Sequence, residues 1–130
     1  MPNLFRTSTP MGDWRSFDFT CDVSGGCESG QLKLYNDTVG VIFEDVDFGE
    51  TAVMVYHIEK VVLEKAVGTG EAANPGDALY WSGTYGDPVT VNWQTGYYWI
   101  AIAVEPAAED VAEVIADLKG DKATVGAFGA

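Results

Sequence analysis

Short runs of alternating hydrophobic and polar residues, separated by glycine-rich breaks, organise this chain. Phe17, Phe19 and Cys21 alternate with Asp18 and Thr20, and Leu32 and Leu34 alternate with Gln31, Lys33 and Tyr35. Successive side chains of an extended strand point to opposite faces, so a period of two predicts strands with one buried face. Val39–Phe43 is a continuous run of the kind expected in a core, and Ala52–Ile58 and Val61–Leu63 are again β-rich. Val46 and Phe48 share one face while Asp45 and Asp47 share the other. Asp77–Trp81, Pro88–Trp93 and Tyr97–Val104 complete the strand-like runs. Between them fall turn signals at Ser24-Gly25-Gly26, Ser29-Gly30, Asn36-Asp37, Gly49-Glu50, Ala66–Gly76, Ser82–Asp87 and Gln94-Thr95-Gly96. Strands at this spacing predict an all-β chain, a small β-barrel or sandwich-like domain.

The two ends and one internal segment depart from that pattern. Residues 1–16 hold two prolines and no period, which predicts an extended N-terminal arm with Leu4, Phe5, Met11 and Trp14 as apolar anchors. Residues 17–120 form the expected β-domain, and residues 121–130 a tail of small residues. Within Glu105–Gly120 the spacing of Val111, Val114, Ile115 and Leu118 is helical, with Glu109 and Asp110 near the start and Gly120 just past the end. A strand would place Ala112, Val114, Ala116 and Leu118 on one face and turn Ile115 away.

Charge narrows the range of partners. The chain of 130 residues carries a net charge of −13. Arg6 and Arg15 against Asp13 leave the first 16 residues at +1, so the rest stands at −14. Binding a nucleic acid requires lysine and arginine to displace counterions, and an anionic membrane makes the same demand, so neither partner is expected. No signal peptide is visible, and no apolar run approaches the roughly 20 residues of a membrane-spanning helix. Cys21 and Cys27 lack zinc-site spacing; a disulfide between them is geometrically possible but is not read from sequence, and a reducing cytoplasm favours two free thiols.

Candidate chemistry is sparse. His57 is the one histidine and has no nucleophile motif beside it. Glu44, Asp45, Asp47 and Glu50 cluster, but Tyr56 stands where a calcium loop needs its closing glutamate, so a solvated strand face is expected. The glycines make no phosphate loop, and no cofactor is expected. Tyr80, Trp81, Tyr85, Trp93 and Tyr97–Trp99 crowd into 20 residues. Such rings form core, anchor protein interfaces or stack on sugars, and the first two uses are preferred here.

The order of motifs from residue 39 to 104 resembles the phage capsid cement, or head decoration, proteins. The pieces are Val39-Gly40-Val41-Ile42, Asp47-Phe48-Gly49-Glu50, Val61-Val62-Leu63-Glu64-Lys65-Ala66, Pro75-Gly76-Asp77-Ala78-Leu79-Tyr80-Trp81 and Ile100-Ala101-Ile102-Ala103. The chain departs from the family pattern around His57 and at Ala101, where glycines are usual. The resemblance implies a β-barrel-like domain that ends in a strand, and this favours a strand or irregular edge segment at 109–118 over the helix. It implies no enzyme. It further implies a homotrimer on the outer surface of the virion capsid, made in the host cytoplasm, with the major capsid protein as partner. Leu4, Phe5, Arg6, Trp14 and Arg15 are the residues expected to grip the lattice, and Tyr80, Trp81, Tyr85 and Trp93 those expected at capsid or subunit interfaces. The competing expectation is a carbohydrate-binding module using Trp81, Tyr85 and Trp93.

Overall fold

A computed structural model describes residues 15–120 and the backbone of a two-residue strand at 124–125. Its strands are β1 (Arg15–Thr20), β2 (Leu32–Tyr35), β3 (Thr38–Ile42), β4 (Thr51–Glu64), β5 (Ala78–Trp81), β6 (Tyr98–Ala103), β7 (Glu113–Lys119) and β8 (Thr124–Val125). All belong to one antiparallel sheet in the order β2-β3-β4-β7-β6-β5, with β1 also on β4 and β8 on β6. The sheet curls into a half-barrel, so the expected all-β class holds, and the described residues include no helix.

The long strand β4 explains the continuous apolar runs. In its first half Ala52 and Met54 face one core cluster, with Phe19, Ile42 and the two cysteines, while Val55 faces the other. β3 repeats the arrangement: Val41 pairs with Val55 and Ile42 with Met54, and all four side chains are fully buried. Strands covered on both faces have no use for alternation. Gly40 is needed in this layer, since a Cβ there would run into the Met54 side chain and lie 2.8 Å from the Val55 carbonyl oxygen. The second half of β4 covers one face, where Ile58, Val61 and Leu63 join Val114, Ala116 and Leu118 of β7 in the larger core.

Ala52–Ile58 and Val61–Leu63 are thus one strand, interrupted by a bulge. Lys60 sits in that bulge at φ 56°, and its N–H donates to Asp117 Oδ1 at 3.0 Å. Segment 113–119 is a strand, as the resemblance implied and the helical spacing did not. Ile115 is the side chain that turns away from the core, where it lies beside Val62. Gly120 ends β7 between two other strands: its N–H donates to the Tyr56 carbonyl and its own carbonyl accepts from Val39 N–H. A Cβ at Gly120 would overlap the Val39 carbonyl oxygen. The expected run Pro88–Trp93 forms bridges rather than a strand, Val89 with Lys65 and Thr90 with Tyr80.

The free thiols expected from sequence are corrected by the structure, which bonds Cys21 to Cys27. Both are held by the same segment: Cys21 N–H donates to the Glu50 carbonyl, and Cys27 exchanges backbone hydrogen bonds with Val46. This brings their Cα atoms to 6.1 Å, within the range a disulfide spans.

Candidate functional site

The residues expected to carry function do not converge on one place. Leu4, Phe5, Arg6 and Trp14 lie outside the described residues. Arg15 and Ser16, counted with the arm, open β1, and Arg15 is exposed opposite His57. Trp81 is completely buried, with its indole Nε1–H donating to the Asp87 carbonyl at 3.1 Å. Tyr80 is also core, its backbone paired with Thr90. Tyr85 is half-buried against the smaller core and accepts a 2.7 Å hydrogen bond from Glu28 N–H. Desolvation raises its pKa, the charges of Glu28 and Asp45 add to the rise, and the Glu28 N–H opposes it. Trp93 is exposed. Trp81, Tyr85 and Trp93 therefore form no stacking platform for a sugar, because β5 turns Trp81 inward.

The acidic cluster is built by loops. Asp45 Oδ1 accepts from Ser29 N–H at 2.8 Å, and Glu50 Oε1 accepts from Asp47 N–H at 3.4 Å. With Gly25, Gly26 and Glu28 these acids line a pocket of about 240 Å³ beside the disulfide. Among the described residues no group of His, Cys, Asp or Glu is arranged to hold a metal ion. His57 lies mid-strand in β4 between Arg15 and Lys119, and neither neighbour carries a hydroxyl or thiol.

Two features at the other end of β4 were missed in the sequence. Lys65 is only 2% exposed, and its ammonium donates to the carbonyls of Ala66 and Glu71 at 2.7 and 2.8 Å. The Glu71 carboxylate accepts from Thr90 Oγ1 and Asn92 Nδ2, so the loop after β4 is pinned from both sides. That loop also grips the one before β7: Gly68 N–H donates to the Glu109 carbonyl, Gly70 N–H to Glu109 Oε2, and Ala73 pairs with Ala107. Against this frame lies an apolar groove of about 290 Å³ on the outer side of the sheet, lined by Val62, Pro106, Ala108, Val111 and Ile115, with Glu105 and Glu113 at its border. Its sequence signal was Val111 and Ile115, two apolar residues that the strand pattern leaves outside the core.

The arrangement offers fixed loops, a groove and an acidic surface, and no assembled nucleophile or metal centre among the described residues. A family model described as phage cement protein matches residues 11–118. The chain belongs to the phage cement protein family. The match extends the resemblance beyond residues 39–104 to the disulfide loop and to β7. A cement protein is a structural, non-enzymatic component of the phage capsid, which accounts for a folded body without reaction chemistry. Searches of the curated proteins and of the solved structures return no match.

Proposed function

We propose that the chain binds the outer surface of the major capsid lattice and stabilises the phage head, acting as a homotrimer. The observation that carries this reading is the cement-family match across residues 11–118. The net charge of −13 supports an outer position, away from packaged DNA, because such a body is repelled by phosphate. Each copy touches several capsid subunits, and modest contacts sum to avidity along the lattice. The arm supplies part of the grip through Leu4, Phe5, Arg6, Trp14 and Arg15, and Trp93 and Tyr85 are the interface aromatics that keep exposed surface.

The test is reconstitution on shells assembled from the major capsid protein alone. Added protein is expected to decorate the shells and raise the temperature at which they rupture. Absence of decoration rejects the reading. Protein lacking residues 1–16 is expected to leave the shells bare, and full occupancy without the arm removes the arm from the mechanism. Sedimentation velocity of the free protein decides between monomer and trimer.

A further inference from the structure

The two cysteines are held in bonding range by contacts that do not depend on the bond between them. Cys21 N–H donates to the Glu50 carbonyl, and the Cys21 carbonyl accepts from Gly49 N–H, both at 2.9 Å. Cys27 exchanges backbone hydrogen bonds with Val46 at 2.9 and 3.0 Å. Just beyond it, Glu28 N–H is fixed by the Tyr85 hydroxyl and Ser29 N–H by Asp45. Each cysteine is 1% exposed and packs in the smaller core with Phe19, Ile42, Ala52 and Met54. A free cysteine packs as a small hydrophobe, so two thiols fill these places as well as a disulfide does. Cys21 Sγ also has an acceptor for the proton it carries when reduced, the Val23 carbonyl oxygen at 4.0 Å. The cysteines are 6 positions apart, and closing so short a loop takes little entropy from the unfolded chain. The fold therefore does not require the bond.

We infer that the chain folds with both thiols reduced, and that the Cys21–Cys27 bond closes afterwards as a lock on this loop, once the protein has left a reducing cytoplasm. The inference rests on the decoration reading only for that itinerary: a cytoplasm keeps thiols reduced, and the exterior of a released particle does not. The oxidant is a small disulfide such as oxidised glutathione. One cysteine thiolate attacks it, giving a mixed disulfide and one glutathione thiol. The other thiolate attacks the protein sulfur of that mixed disulfide and expels the second glutathione. The cysteines lose two electrons and two protons, which leave as the two glutathione thiols. Both sulfurs are covered, so the exchange needs Cys27 to swing away from Val46. Gly25 and Gly26 hold φ of 91° and 100°, a backbone that glycine adopts freely, and with the exposed Asp22 and Ser24 they form the flexible part of the loop. Once closed, the bond ties Cys27 to Cys21 and opposes that swing. A reductant then meets a loop that no longer opens, so the lock sets in the folded protein and releases only when the smaller core unfolds.

The experiment uses the full chain made in a bacterial cytoplasm. Cells broken directly into denaturant with excess maleimide are expected to yield chain with both cysteines modified, read by mass. Protein purified under reductant is expected to give the β circular-dichroism spectrum of the oxidised form. Oxidised glutathione is expected to close the bond without changing that spectrum, and to slow amide hydrogen exchange across residues 22–27 by about tenfold or more. Dithiothreitol is expected to leave the closed bond intact in the native protein and to cleave it in urea. Cys21→Ser/Cys27→Ser is expected to fold, and to exchange as the reduced chain does before and after oxidised glutathione. Chain that leaves the cells already bonded and unmodified overturns the timing. A reduced chain and a double variant that both lack β structure overturn folding ahead of the bond. Exchange within about twofold in the two forms, or ready reduction of the native protein, overturns the lock. All of these readouts are made on the free protein, so their failure is distinct from a failure to decorate shells.

Discussion

Lys65 shows how much of this protein depends on single polar atoms in the core. Its ammonium satisfies two backbone carbonyls inside the protein, so removing it leaves buried acceptors without partners. Lys65→Ala is expected to cost about 3 kcal/mol, read as a shift in the urea midpoint, and an unchanged midpoint would contradict the role assigned here. The Cys21–Cys27 bond closes a short loop, and in the chain-entropy view it is worth about 2 kcal/mol. Melting with and without reductant, compared with the Cys21→Ser/Cys27→Ser variant, checks this: reductant should lower the melting temperature of the parent and not that of the variant. Tyr85 has a pKa raised by desolvation, so its neutral form is favoured in the folded state. The stability linked to it is present below the ordinary tyrosine value of about 10 and is lost as pH rises through the higher folded value. Tyr85→Phe should therefore lose less stability than the parent in that alkaline window, measured by melting at stepped pH.

At the scale of elements, 105–120 was the segment where local rules and tertiary context disagreed. Val111, Val114, Ile115 and Leu118 have helical spacing, and several alanines favour a helix. In the fold, backbone groups of this segment instead complete ladders with both β4 and β6, and Val114, Ala116 and Leu118 enter the main core. Two ladders and a buried face outweigh a propensity worth tenths of a kcal/mol per residue. A peptide of residues 105–120 alone should consequently show helical circular dichroism in trifluoroethanol, whereas the whole protein shows a β spectrum. A β or coil spectrum from the peptide under those conditions would remove the conflict described here. β1, β2, β5 and β6 were legible because each presents a recognisable apolar face or run. Pro88–Trp93 was misread because the alternation of Val89 and Val91 is also produced by a loop anchored at two bridges.

Across the whole molecule, β4 joins two cores. Met54 faces the smaller cluster and Val55 the larger, so the two cannot separate without breaking β4. Met54→Ala is expected to cost about 3 kcal/mol and to move the tryptophan-fluorescence and circular-dichroism transitions together, while separated transitions would show independent units. The sequence by itself determined the β class, the acidic net charge, and the motif order that resembles cement proteins. These survive without coordinates because periodicity, net charge and motif order are properties of the linear chain. Tertiary structure alone decided the disulfide, the burial of Trp81, the Lys65 anchor and the acid-bordered groove. Two of these join segments far apart in sequence, since Cys21 and Cys27 meet through 46–50 and the groove joins Val62 to Val111, while Trp81 and Lys65 are placed inside by the strands that carry them and bond only across adjoining turns. No local pattern records which distant residues a folded chain will bring together.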